Sequence, residues 1–171
     1  MVLLIVLTAV AGCRKPAPQA VLPPPPSPDD VPLHLDRPLT GLRVIKLWLG
    51  AEELNTEVCI TPQQLATGMM FRTNMPENTA MLFPFAEPHQ ASFYMKNTTV
   101  PLTAAYIDPQ GVILELHDLK PLDETGVSAA TEQIQYVLEV NQGWFARHHV
   151  TTGAVVRTPQ GALRQLFTRP R

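Results

Sequence analysis

Several things are scarce in this chain of 171 residues, and each scarcity excludes a class of protein. There are two cysteines, so no disulfide framework of the kind that staples small secreted folds is available. Charged residues make up only 16% of the chain, with a net charge of −2 and no Lys/Arg tract. Phosphate backbones need a concentrated basic surface, which argues against nucleic acid as the main partner. No apolar run approaches the roughly 20 residues that a membrane-spanning helix needs. The five histidines, His34, His89, His117, His148 and His149, show neither the i, i+4 helical spacing nor the nearby cysteine pair of zinc sites. Gly-x-Ser-x-Gly elbows, P-loops and dinucleotide fingerprints are missing too. No metal and no cofactor is expected.

What is present begins with the apolar run Met1–Val10, followed by Ala11-Gly12-Cys13 and then Arg14-Lys15. A short apolar segment closed by small residues reads as a cleavable signal. With a cysteine directly after, it resembles the lipobox of bacterial lipoproteins. That resemblance implies cleavage before Cys13, acylation of Cys13, and a protein held by lipid outside the cytoplasmic membrane, in the cell envelope. Two acyl chains suffice for stable anchoring, at about 0.8 kcal/mol per buried CH2. The run lacks the basic residues usual at a signal's start.

Nine of the eighteen prolines fall between Arg14 and Pro38, including Pro23–Pro26. Proline removes backbone donors and fixes φ, so the stretch favours extended polyproline II over sheet. Fully extended, it would reach roughly 80 Å, as a semi-rigid tether would. The expected organisation is a signal at 1–12, an anchor and linker at 13–39, and one folded domain at 40–171.

Within the domain, short strand-like segments dominate. They are Arg43–Leu49, Leu54–Ile60, Ala80–Phe85, Ala91–Met95, Thr103–Asp108, Val112–Leu116, Gln135–Val140 and Ala154–Arg157, rich in β-branched and apolar residues. Asp108-Pro109-Gln110-Gly111 has the chemistry of a tight turn. Two short helices are expected. One runs from Pro62, with Thr61 as N-cap and Gly68 at the left-handed terminus. The other is capped by Asn141 and runs to Arg147, with His148 and His149 at its dipole-favoured cationic end. The fold class is therefore mainly β, a compact antiparallel barrel or sandwich. Cys59, in the apolar setting Glu57–Ile60, reads as a buried inert thiol. The Met69-Met70 pair reads as core. The segment His117–Gln133, long for a loop, is expected to act as a flap.

Gly68-Met69-Met70-Phe71-Arg72, Met81-Leu82-Phe83, Ser92–Thr98, Pro101-Leu102, Tyr106-Ile107-Asp108 and Tyr136–Phe145 resemble, in order, the motifs of the DUF192 family. This resemblance covers about residues 44–156 and implies a small barrel-like β domain of unknown function. Thr103 stands where many members carry Asp, which lowers an enzymatic reading.

The polar residues set inside these apolar motifs point to a ligand-binding surface built from Arg72, Tyr94, Lys96, Asn97 and Asp108 or Glu139. Alternation would send Phe93 and Met95 to one face and Tyr94 and Lys96 to the other. An arginine emerging from an apolar run suits a carboxylate or phosphate, and aromatics beside amides and cations suit a small polar ligand or glycan. The competing expectation is structural: Arg72 paired with Glu139 or Asp108, and Asn97 and Thr98 serving a turn. Two further readings stand beside non-catalytic binding. One is a hydrolase with Asp108 or Glu139 as base and Arg72 or Lys96 stabilising charge. The other is a structural or partner-binding module of the envelope. Sequence leaves the oligomeric state open.

Overall fold

The computed structural model describes residues 33–167. The signal, Cys13 and most of the proline-rich linker lie outside the described residues. Ten strands form the domain: β1 (Arg43–Leu49), β2 (Glu52–Val58), β3 (Thr79–His89), β4 (Ser92–Phe93), β5 (Leu102–Ile107), β6 (Ile113–Leu119), β7 (Val127–Ser128), β8 (Ile134–Asn141), β9 (Val156–Thr158) and β10 (Gly161–Ala162). Two short helices, α1 (Pro62–Thr67) and α2 (Trp144–Arg147), interrupt them. Eight strands make one curled sheet in the order β10-β9-β1-β2-β3-β8-β5-β6, and β4 pairs with β7 separately. The sheet is antiparallel except where β2 lies parallel to β3, a crossover made through α1 in place of a hairpin.

The two sides of the curl meet at one end. Val112, leading into β6, bridges Val155, leading into β9, and the Val156 N–H donates to the Gly111 carbonyl at 2.8 Å. Gly111 permits that approach: it sits at φ +87°, and a Cβ there would stand 3.0 Å from the Val156 oxygen. The Asp108 turn holds it in place, with the Asp108 carboxylate accepting from the N–H groups of Gln110 and Val112.

The central strands β3, β8 and β5 are buried on both faces, which explains their nearly unbroken apolar runs. On one face Leu82, Ala105, Leu138 and Val140 pack against Leu47, Leu54 and the α2 pair Trp144 and Phe145. On the other, Met81, Phe83, Ala104, Tyr106 and Val137 are covered by Cys59, Met69, Met95 and Val127. This second face carries the candidate site.

Several boundaries differ from the sequence expectation. β3 runs through Pro84 and a register shift to His89, longer than its apolar core. The Ala91–Met95 segment contributes only the two-residue β4. α2 is capped by Gly143 in the left-handed conformation, not by Asn141. Asn141 ends β8 instead, and its side-chain amide donates to the Met75 carbonyl. His148 caps that helix, stacks on Trp144 with ring centroids 4.4 Å apart, and bonds Glu52 at 2.9 Å. The segment His117–Gln133 is no free flap. Its start is the end of β6, and its β7 pairs with β4, where the Tyr106 hydroxyl donates to the Val127 carbonyl.

Candidate functional site: a buried carboxyl group beneath an apolar pocket

The local structure begins at α1. The Thr61 hydroxyl accepts from the Gln64 N–H, and the Gln64 side chain reaches back to the Thr61 N–H at 3.0 Å. This reciprocal cap satisfies two of the helix's orphan donors. The chain leaves the helix at Gly68, with φ +46° and ψ −128°, a conformation open essentially to glycine alone. A Cβ there would lie 3.2 Å from the Phe83 ring. Past Gly68, Met69 joins the core cluster of Met81 and Phe83 from β3, and Met70 lines the cavity beside it.

Three loops then interlock. The Phe71 N–H donates to the Asn97 carbonyl at 2.7 Å, the Met95 N–H to Asp123 at 2.7 Å, and the Leu122 N–H to Thr98 at 3.0 Å. Phe71, Asn97 and Leu122 all take positive φ at these crossings, an uncommon state for non-glycine residues. The Met-Met-Phe-Arg and Tyr-Met-Lys-Asn-Thr motifs are therefore built into one laced lid over the sheet.

Beneath that lid lies a cavity of about 190 Å3. Its walls are Leu65, Ala66, Met69 and Met70 on one side, and Phe83, Phe85 and Phe93 on the other. Tyr94, His89 and Ser92 stand at the exposed edge. Glu139 also lines it, from the middle of β8, paired between Met81 of β3 and Ala104 of β5. Glu139 is 4% exposed, and its Oε2 has no hydrogen-bond partner among the described residues. An ionised carboxylate taken from water without compensation is costly, so the proton is retained: burial pushes this group from 4.5 up to about 8. At neutral pH the pocket holds a carboxylic acid. Its nearest ionisable neighbours are raised in turn. Cys59, buried, is pushed up to about 12, first by desolvation and then by the Glu139 charge. The Tyr106 phenol is raised chiefly by burial.

The residues expected from sequence to form one surface are distributed differently. Glu139 and Tyr94 both line the cavity, and Thr98 joins them. Arg72 does not. Its guanidinium pairs with Glu57 at 2.5 Å and donates to the Leu39 carbonyl at 3.2 Å, beside a separate cleft of about 310 Å3. The expected pairing of Arg72 with Glu139 or Asp108 gives way to Glu57, which β2 presents near the end of the Met-Met-Phe run. Asp108 is spent on its turn, four residues along β5 from Ala104 and so roughly 13 Å from the level of Glu139. Asn97 serves the loop crossing, and Lys96 makes no ion pair among the described residues. Thr103 bridges two elements, donating to Asp118 at 2.6 Å and accepting from the Gly143 N–H. Sequence reasoning missed the apolar walls. Its one usable signal was a lone acid inside Tyr136–Val140, a run whose other members belong in a core.

A curled β-sheet with one pocket seated on a buried acid describes a class of small domain, not a reaction. By its sequence, the chain belongs to the DUF192 family (Uncharacterized ACR), whose profile matches residues 46–158. Solved structures agree with the fold. A protein of unknown function from Novosphingobium aromaticivorans DSM 12444 is similar at 29% identity and a TM-score of 0.66, over 71% of this chain and 89% of that one. A proposed transcription regulator from Sinorhizobium meliloti 1021 is similar at 30% identity and a TM-score of 0.62, over 67% of this chain and 92% of that one. A comparison with curated proteins finds no match.

Proposed function

We propose that this protein is a lipid-anchored, extracytoplasmic binding domain that takes a small ligand in the Glu139 pocket without turning it over. One observation carries the reading: Glu139, nearly fully buried and with Oε2 unpartnered among the described residues, stands in the wall of an apolar cavity. Buried polar groups are satisfied in the great majority of cases, so an orphan acid facing a cavity is a place held for something else. The cavity is smaller than the roughly 300–1,000 Å3 of drug-sized sites, which limits the ligand to metabolite size. Its walls call for an apolar body carrying a polar group, which suits a glycan less well than sequence alone suggested.

The hydrolase alternative loses support, because Arg72 and Asp108 are engaged elsewhere and no second carboxylate among the described residues lines the cavity. A net charge of −2 without a basic tract gives no support to a nucleic-acid role such as the Sinorhizobium neighbour's name suggests. The lipid anchor rests on the segment ending at Cys13. Incorporation of labelled fatty acid by the wild-type chain, and none by Cys13→Ser, is expected.

The binding test is a thermal-shift screen of metabolite-sized compounds against wild type and Ala66→Phe, which fills the pocket from α1. A ligand at one hundred times its Kd stabilises by about 2.7 kcal/mol. Shifts that vanish in Ala66→Phe support the reading. Shifts that survive in it place binding elsewhere and refute it.

A further inference from the structure

We infer that the ligand of this pocket is an organic cation, a protonated amine on an apolar body, with the ammonium group seated against Glu139. The inference rests on the binding reading above and specifies its chemistry. Three independent features of the walls carry it.

The first is charge. Among the described residues Glu139 is the sole carboxyl group lining the cavity, and neither Lys nor Arg lines it. A carboxylate or phosphate ligand would enter an apolar space that offers it no Lys or Arg, only His89 at the exposed edge, at a large desolvation cost.

The second is the direction of the available hydrogen bonds. Thr98, 3% exposed and lining the cavity, already donates its hydroxyl to the Lys96 carbonyl at 3.1 Å, so that oxygen has only lone pairs left to offer. Thr67 is spent, donating to Gln63 and accepting from Leu35. An ionised Glu139 is likewise an acceptor alone. The floor therefore calls for a donor, and an ammonium group brings three donors and no acceptor.

The third is the aromatic wall. Phe83 and Phe93 meet edge to face at 5.0 Å, and Phe85 stands 6.5 Å from Phe93. Ring faces carry a negative quadrupole that attracts cations, most strongly where water is excluded.

Binding has a proton balance. The empty pocket holds R–COOH at Glu139; the ammonium keeps its own proton, the Glu139 O–H bond breaks, and that proton goes to solvent, leaving an ammonium–carboxylate pair. With the Glu139 carboxyl at about 8 when the pocket is empty, affinity for the cation rises about tenfold from pH 6 to 7 and about fivefold from pH 7 to 8, then levels. The groups facing Glu139 are Cys59 after β2 and Tyr106 on β5, with His89 of β3 and Tyr94 on the pocket wall. Cys59 and Tyr106 are both raised and stay neutral across this range. The Glu139→Gln variant keeps His89 and so isolates the contribution of Glu139.

The experiment is calorimetric titration of the full chain at pH 6, 7 and 8 with 2-phenylethylamine, 2-phenylethanol and phenylacetate, in pairs of buffers with different ionisation heats. The expected result is preference for the amine, binding about tenfold tighter at pH 7 than at pH 6 and about fivefold tighter again at pH 8, and release of about one proton at the acid end. Glu139→Gln should abolish both the slope and the proton release. Alcohol or carboxylate binding as tightly as the amine overturns the cation assignment and leaves the pocket standing. So does amine binding without a pH slope, or with a slope that survives in Glu139→Gln. Binding of none of the three overturns the cation assignment too, while the wider screen against Ala66→Phe decides separately whether the pocket binds anything.

Discussion

Replacing Glu139 with glutamine should change how stability depends on pH more than it changes the fold. In the folded chain the carboxyl keeps its proton to about 8, against an ordinary 4.5. Below about pH 4.5 both folded and unfolded forms are protonated, and the native state enjoys its full stability. Between these values the unfolded chain releases the proton and the folded one does not, so the unfolded state is favoured as pH rises. The slope is about 1.4 kcal/mol per pH unit. From pH 5 to pH 8 the wild type should therefore lose about 3.5 kcal/mol through this group alone. Above about 8 the folded carboxyl ionises too, and the curve flattens.

Glutamine has nearly the same shape and no charge at any of these pH values, so the term vanishes in Glu139→Gln. Other groups contribute equally to both proteins and cancel in the difference. Urea unfolding of the two at pH 5, 6, 7 and 8 measures it. The variant should gain on the wild type steadily with rising pH, with unchanged m-values. Parallel curves would refute the argument, since they would mean that Glu139 ionises in the native state as it does in the unfolded chain.

Gly68→Ala forces a side chain into a positive-φ conformation 3.2 Å from the Phe83 ring and should cost about 1–3 kcal/mol of stability in urea unfolding. Arg72→Met breaks the pair with Glu57, whose partners are 20% and 26% exposed. The loss should be about 1–3 kcal/mol, between exposed and buried pairs, partly recovered by adding Glu57→Gln, with binding in the Glu139 pocket retained. Cys59, with its thiol pushed up to about 12, should resist thiol reagents in the native protein at pH 8, where thiolate is scarcer by about four orders of magnitude. It should react once the chain is unfolded, and fast labelling of native Cys59 would show that its covering is open.

Much of the scaffold could be read from local chemistry. Thr61, Pro62 and Gly68 mark α1 because capping and left-handed termini are properties of a few consecutive residues. The Asp108 turn was legible for the same reason, and so was the burial of Cys59. The parallel pairing of β2 with β3 was not, because a six-residue helix between two strands permits either sense. The site divides along the same line. Glu139 stood out as an acid between apolar neighbours in its strand; alternation separated Tyr94 from Phe93, yet β4 ends at Phe93 and both residues line the cavity. Arg72 and Asp108 looked similarly displaced, but their partners are set by folding, one by the approach of Glu57 and the other by its own turn. The walls from Leu65 to Phe93 are ordinary core residues in sequence. Only the crossing of three loops leaves space between them.

The most direct test follows the Glu139 side-chain carbonyl carbon by NMR across pH 4 to 9, assigned with Glu139→Gln, with the pocket empty and then saturated with 2-phenylethylamine. The account predicts a midpoint near 8 in the empty protein, moving well below it when the amine is bound. A midpoint near 4.5 in the empty protein, unmoved by the amine, would contradict it.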